Sequence, residues 1–313
     1  GETPVTLNNE FIFMRQSGAD VNSFVYKAFP YSHNGTNNMA ATLKQVNAYY
    51  MRDGRDKDQA SSEYPYYTSG FTTGDTNDPF VPNDCHRMWL NREPRFYASI
   101  AYNGCIWENG TADQRYQNFR CNYYRAGQDG KQLSRPYNFP LTGIGIKKYY
   151  DPDDSWDEGG RTTYKPHPEI RYADVLLWYA EALNEAKKEE GTVPEDCYTY
   201  IDKVRARAGL KGVKDSWRLY ANDANKPNTY EGFQTIVRKE RMIELALEGQ
   251  RFWDIRRWNL ANQYFNKSLQ GWDINQSETN EYYKLNTYFI RNYEDRENLW
   301  PLKDYDCIVN PKL

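Results

Sequence analysis

The sequence predicts a mainly α-helical protein, in which tetratricopeptide-like helical repeats are joined to a long loop-rich region with short strands. Three observations predict this fold class. Apolar residues recur at helical spacing in two stretches, 172–208 and 233–247. Residues 108–165 have no sustained period and combine many aromatic residues with Gly, Asn and Asp, a composition typical of long ordered loops. The helical stretches also come in pairs, as in helix–turn–helix repeats, although the usual residue pattern of such repeats is weak.

These differences divide the 313 residues into three parts. Residues 1–165 are expected to form a loop-rich region with short strands that carries the ligand-binding side. Residues 166–262 are expected to form a scaffold of helical hairpins. Residues 263–313 are expected to form a loop-rich C-terminal segment that packs on the scaffold, because helical periodicity does not continue into them.

The first part contains two predicted strands and one aromatic loop. The run Phe11-Ile12-Phe13 predicts a short strand, and the alternating RFYASIAY at 95–102 predicts another that ends at the turn Asn103-Gly104. Residues 51–85 contain turn formers throughout and predict a loop. Several aromatic residues lie on this loop, which makes it either a latch onto the core or a platform for a ligand. The latch is favoured.

The scaffold begins with a predicted helical pair. One apolar stripe predicts a helix from Glu169, and it consists of Tyr172, Leu176, Tyr179, Leu183 and Ala186. Pro194 can begin the next helix, because proline is tolerated in a first turn. The second stripe ends at Gly209, and it consists of Cys197, Tyr200, Ile201, Val204 and Ala208. The following DSWRLYANDANKPNT is predicted to be a polar connection.

The stretch 236–258 predicts a helix, a break at Gly249 and a second helix. Glu240 falls inside the apolar stripe of the first helix, and a buried carboxylate is costly unless it is paired. Glu240 and Glu244 are therefore either a catalytic carboxylate pair or members of a structural Glu–Arg network, and the network is favoured. Three arginines just past the break are the expected partners: Arg251, Arg256 and Arg257.

Composition argues against several classes of function. The formal net charge is −3 with no basic block, so a nucleic-acid-binding protein is not indicated. No apolar run approaches the length of a membrane span. The three histidines are scattered, and the chain contains no nucleophile elbow, P-loop or dinucleotide fingerprint. We therefore expect no enzyme activity, no cofactor and no catalytic residues.

Two alternatives remain open for cysteines and metals. Five cysteines include no C-x-x-C pair, and one disulfide could form among Cys85, Cys105 and Cys121. The acidic run from Asp151 to Glu158 could hold Ca²⁺, but its spacing does not match an EF-hand. A solvated acidic loop is favoured there, and no metal site is predicted.

Five segments, in this order, resemble the SusD-like (RagB/SusD) family of Bacteroidetes outer-membrane lipoproteins. They are REPRFYASIAYNG at 92–104, EIRYADVLLWYAEALNEA at 169–186, IDKVRARAGL at 201–210, ERMIELALEGQRFWDIRRW at 240–258 and LWPLKDYDCIVNP at 299–311. The resemblance implies a cell-surface, lipid-anchored protein that binds an oligosaccharide or polysaccharide and is partnered with a TonB-dependent, SusC-like transporter. It covers the later part of a typical member, so part of the family's binding site is expected to lie upstream of this chain.

In this family the ligand site lies on loops outside the helical repeats, which here implies residues 60–165. Flat aromatic rings stack on sugar rings, and nearby amide and charged groups bond their hydroxyls. On this basis the predicted ligand-binding residues are Trp107, Tyr123, Tyr124, Arg125 and Tyr67. Two other tryptophans have core-like neighbours and are assigned to packing: Trp89 and Trp178.

The predicted function is glycan capture without catalysis. Capture of peptides or other nutrients by the same architecture is one alternative. A glycoside hydrolase with paired carboxylates is a second, and a structural partner that only covers the transporter is a third.

Overall fold

The structure is a computed structural model that describes residues 8–15, 18–59, 63–74, 78–107, 119–156, 161–299 and 301–310. Within these ranges helices predominate and the strands are short, which confirms the predicted fold class. The helices are α1 (Gly18–Ala28), α2 (Leu43–Ala48), α3 (Pro94–Ser99), α4 (Tyr172–Ala186), α5 (Glu195–Arg207), α6 (Val213–Tyr220), α7 (Tyr230–Glu244), α8 (Gln250–Arg257), α9 (Ala261–Phe265), α10 (Thr279–Tyr282) and α11 (Asp304–Val309). The strands are β1 (Phe11–Arg15), β2 (Ile100–Ala101), β3 (Ile106–Trp107), β4 (Phe119–Arg120), β5 (Gly145–Ile146), β6 (His167–Arg171), β7 (Leu269–Trp272) and β8 (Leu285–Phe289).

Helix α4 lies at the centre of the helical scaffold, where it packs against α5 and α7. Its buried face consists of Ala173, Leu176, Leu177 and Ala180, which recur at helical spacing. The predicted apolar stripe is therefore only partly correct. Leu176 is buried as predicted, but Tyr172 and Tyr179 are 45% and 46% exposed. The packing role assigned to Trp178 is also wrong, since that side chain is 37% exposed. Trp89, at 1%, is buried as predicted.

Helices α7 and α8 form the predicted hairpin. Phe233, Ile236 and Ile243 of α7 are buried, and so is Glu240 within the same stripe. Gly249 has φ +80° and precedes α8, in the left-handed conformation that only glycine adopts at little cost.

Among the described residues, four antiparallel strand pairs join segments that are distant in sequence: β1 with β6, β2 with β5, β3 with β4, and β7 with β8. The β1–β6 pair confirms the strand predicted at Phe11 and joins it to Arg171, the residue before α4. The chain after Gln270 was predicted to form loops, but it also contains β8, α10 and α11.

Two predictions of local structure were wrong. Residues 94–99 form helix α3 and only Ile100 and Ala101 are strand. Pro94 occupies the first turn of that helix, where its fixed φ favours helix, and the Tyr97 hydroxyl donates to the carbonyl of Trp89 at 2.6 Å. The polar connection contains helix α6, because Trp217 is fully buried and anchors that segment to the core.

The cysteines are thiols. Cys85, Cys105, Cys121 and Cys197 are buried and Cys307 is exposed, with no disulfide between them. The disulfide that the sequence left open is therefore absent.

Candidate ligand-binding site

Two of the five residues predicted to bind ligand lie in the core. Trp107 and Tyr123 are both 0% exposed. The Trp107 ring packs on Phe29 and Tyr150, with ring centroids 5.1 and 4.8 Å apart. In this conformation neither residue offers a ring face to a ligand.

The other three predicted residues lie nearer the surface. Tyr67 is half-buried beneath the guanidinium of Arg87, which lies 3.8 Å from the ring centroid. Tyr124 is half-buried and packs against the core, whereas the Arg125 side chain is exposed. The Arg125 backbone N–H donates to the carbonyl of Gln276 at 2.8 Å. Ligand binding by these three residues therefore stays a prediction.

A cavity of about 700 Å³ is lined by residues that all lie outside the predicted 60–165 region. It is bounded by α2, the end of α7, helices α8 and α9, strand β7 and Arg291. We call it the Tyr264 pocket. Its volume falls within the range of about 300–1,000 Å³ that is typical of small-molecule sites.

Four side-chain amides line the Tyr264 pocket: Gln45, Asn47, Asn266 and Gln270. Two of them hold the walls together, since Gln45 donates to the carbonyl of Met242 at 3.1 Å and Asn266 donates to the carbonyl of Tyr293 at 2.9 Å. The amides of Asn47 and Gln270 make no side-chain hydrogen bond to the described part of the chain. They are therefore available to the hydroxyls of a ligand.

Four cationic side chains also line the pocket: Lys44, Arg251, Lys267 and Arg291. The Lys44 ammonium lies 3.5 Å from the Tyr264 ring centroid, and the Arg251 guanidinium lies 4.6 Å from it. Partial burial, together with the positive charges of Arg251, Lys267 and Arg291, lowers the pKa of Lys44 to about 8. Burial also lowers the pKa of Arg251.

The carboxylates of α7 form an ion-pair network with residues of other elements. Glu240 pairs with Arg95 at 2.7 Å and Arg205 at 3.2 Å. Glu244 pairs with Arg95 at 2.9 Å, with Arg171 at 2.7 Å and with Arg207. These contacts match the structural-network interpretation, in which each buried carboxylate is neutralised by arginine.

The arginine partners differ from those expected. Arg257 pairs with Glu181 at 2.6 Å and with Asp254 at 2.8 Å, while Arg241 of α7 pairs with Asp254 of α8 at 2.9 Å. The hairpin is therefore closed by Arg241 and Asp254, and the glutamates of α7 instead fasten it to α3, β6 and α5.

The acidic run that could have held Ca²⁺ is only partly within the described residues, because Asp157 and Glu158 lie outside them. Asp154 is buried, and its carboxylate accepts hydrogen bonds from Lys165 at 2.6 Å and from the Thr163 backbone at 2.8 Å. Among the described residues, no group of three or more His, Cys, Asp or Glu side chains could hold a metal ion.

The SusD family model matches residues 9–313. SusD-like protein P2 of Formosa agariphila is 32% identical over 120 residues, which are 38% of this chain and 22% of that protein. The solved structure of BT4246 has a TM-score of 0.78 and 22% identity, and covers 99% of this chain and 50% of its own. That of a SusD-like carbohydrate binding protein (BF0978) from Bacteroides fragilis has a TM-score of 0.65 and 22% identity, and covers 98% and 55%. This chain spans about half the length of these structures, which show its fold.

Within the described ranges, no helix has the length and apolar character needed to cross a membrane.

Proposed function

This chain belongs to the SusD family, and we propose that it serves as a non-catalytic glycan-binding component of an outer-membrane nutrient uptake system. It would act at the cell surface, lipid-anchored in the full-length protein, beside a TonB-dependent transporter. The family and the carbohydrate-binding neighbour from Bacteroides fragilis support this role. Because the chain spans about half the length of such structures, we propose the transporter partner and the lipid anchor for a full-length protein and not for this chain alone.

The observation that carries the proposal is the lining of the Tyr264 pocket. A carbohydrate is rich in hydroxyl groups, each of which both donates and accepts hydrogen bonds. Asn47 and Gln270 can each donate through the amide nitrogen and accept through the amide oxygen, so one side chain can bond two adjacent hydroxyls. Binding of this kind needs shape and hydrogen bonds but no nucleophile and no general base.

We expect the double substitution Asn47→Ala/Gln270→Ala to weaken glycan binding about tenfold or more, because buried hydrogen bonds contribute about 0.5–1.5 kcal/mol each. Calorimetric titration of this chain against soluble neutral and acidic glycans measures the change. The matched control is Gln263→Ala, which removes an exposed amide of α9 that does not line the pocket. That control should bind as the parent chain does.

The same titration distinguishes binding in the Tyr264 pocket from binding at the predicted surface around Tyr124 and Arg125. If Tyr124→Ala/Arg125→Ala abolishes binding while the pocket variant binds normally, the ligand occupies the aromatic loops predicted from the sequence. If the folded chain binds no glycan of the panel, and peptides bind instead, the proposed function is wrong for this chain.

A further inference from the structure

The charge of the Tyr264 pocket is unusual for this chain. The whole sequence is slightly acidic, with a formal net charge of −3, yet Lys44, Arg251, Lys267 and Arg291 converge on one cavity. Among the residues that the structure describes, the lining contains no Asp or Glu. Four positive charges that face one cavity repel one another, and an anion placed there would relieve that repulsion.

The aromatic residues of the pocket are already in contact with these cations. Lys44 and Arg251 both lie within 5 Å of the centroid of the Tyr264 ring, at 3.5 and 4.6 Å, and Arg291 lies 5.8 Å from the Phe265 ring centroid. Cation–π contacts of this kind hold a cation in place without neutralising it. The rings therefore position the cations more than they offer bare faces on which a sugar could stack.

Arg251 supplies a second, independent observation. Its Nη1 atom is buried in the wall of the pocket, with no hydrogen-bond partner in the described part of the chain. A buried N–H donor without a partner carries a free-energy cost, because it has lost its hydrogen bond to water. A turn of the guanidinium toward the pocket would let a ligand oxygen, above all a charged one, accept from Nη1 and remove that cost.

We infer that the Tyr264 pocket binds an anionic glycan, one that carries carboxylate or sulfate ester groups on a hydroxyl-rich chain. The inference rests on the proposed function and adds the ligand class. The cations would bond the charged oxygens, while Asn47 and Gln270 would bond neighbouring hydroxyls. A neutral glycan would remove hydration from these cations without supplying a counter-charge, which is unfavourable.

The test compares acidic and neutral probes in calorimetric titrations at low ionic strength. The probes are chondroitin sulfate, desulfated chondroitin (carboxylate only), carrageenan (sulfate only) and laminarin (neutral). We expect one or both kinds of acidic probe to bind at least tenfold more tightly than laminarin, and the two single-anion probes to show which group is recognised. We also expect Lys44→Gln/Lys267→Gln to weaken acidic binding about 30-fold or more, because each substitution removes a hydrogen bond between charged groups.

The control removes the same charge elsewhere. Lys188 and Lys203 are exposed lysines near the rings of Tyr230 and Tyr200, outside the pocket, so Lys188→Gln/Lys203→Gln should leave affinity unchanged. Tighter binding of laminarin that is sensitive to Asn47→Ala would keep the proposed function and overturn this inference. Equal binding of polyaspartate would overturn the glycan part of it, and the absence of all glycan binding would count against the proposed function.

The affinity for the carboxylate-only probe is also expected to fall about fivefold as the pH rises from about 7 to about 9. Arg251, Lys267, Arg291 and the Tyr264 ring lie around Lys44, whose pKa is lowered to about 8 by partial burial and by those cations. A bound anion favours the charged ammonium, so binding is strongest below that pKa and weakens above it. Lys44→Gln should remove most of this pH dependence. An equal fall in that variant would assign the effect to another group.

Discussion

Replacing Arg171 with Met is expected to lower the free energy of unfolding by about 3–5 kcal/mol at neutral pH, because breaking a buried ion pair leaves charge without compensation. The Arg171 side chain is 8% exposed. Its guanidinium donates to Glu244 at 2.7 Å, to Glu248 at 2.8 and 3.0 Å and to Glu10 at 2.8 Å. A Met side chain fills similar volume but neutralises none of these carboxylates. Urea unfolding followed by Trp fluorescence measures the loss.

The pH dependence of this loss follows from Glu244. Burial opposes ionisation of its carboxyl group, but the positive charges of Arg171, Arg95 and Arg207 outweigh it and lower the pKa of Glu244. A group whose pKa is lowered by folding contributes stability above its unfolded pKa, near 4.3, and the contribution is lost as the pH falls below that value. The difference between the parent chain and Arg171→Met should therefore narrow below about pH 4.

The control for this substitution is Arg218→Met. Arg218 pairs with Asp215 at 3.0 Å, but the two side chains are 66% and 57% exposed, and such surface pairs contribute little. We expect a change within about 0.5 kcal/mol. A loss below about 1 kcal/mol for Arg171→Met, or one that is independent of pH, would show that the network adds little to stability.

The sequence was sufficient to predict the helical scaffold and the burial of Glu240. Both follow from local periodicity, because a residue one turn from Ile236 and Ile243 shares their face of the helix. The same reasoning could not predict which arginines meet those carboxylates. Arg171 lies 73 residues from Glu244, and only the tertiary fold, through the β1–β6 pair and the packing of α4 on α7, brings them together.

Helix α3 shows why local patterns fail in short elements. The run RFYASIAY alternates well enough for a strand, yet its first five residues belong to α3, because a run shorter than about three helical turns is too short for its period to separate helix from strand. Proline at the helix start and burial of Phe96 decide the outcome. Tertiary packing thus overrides the weak local preference.

The candidate site was missed for a related reason. Aromatic loops are visible in a sequence, and Trp107 and Tyr123 were chosen from them, but a hydrophobic ring in a loop can equally be buried. The Tyr264 pocket instead combines residues from α2, α8, β7 and Arg291, which no short motif joins. Of its four cations only Arg251 lies within a motif of the sequence, and there the pattern favours Arg251 as a partner of the α7 carboxylates.

Replacing Gly54 with Ala is the second substitution with a large expected effect, about 2–5 kcal/mol of lost stability. Gly54 has φ +80°, and a Cβ atom there would lie 2.3 Å from Nη2 of Arg205 and 2.6 Å from the hydroxyl of Ser216. Arg205 cannot move aside, because its fully buried guanidinium donates to Glu240, to the carbonyl of Gly54 and to the carbonyl of Lys211. The left-handed backbone costs about 1–2 kcal/mol, and overpacking adds about 1–3 kcal/mol.

Gly249 provides a matched control, because it has the same φ of +80° but no atom within 4 Å of the added Cβ. Gly249→Ala should therefore lose only the backbone contribution, about 1–2 kcal/mol, as measured by urea unfolding. The difference between the two substitutions isolates the clash with Arg205. If both variants lose equal stability, Arg205 can shift without disturbing Glu240, and the ion-pair network around α7 is more adaptable than its hydrogen bonds indicate. A larger loss at Gly54 instead means that Arg205 cannot move away from the added methyl group without a cost in stability.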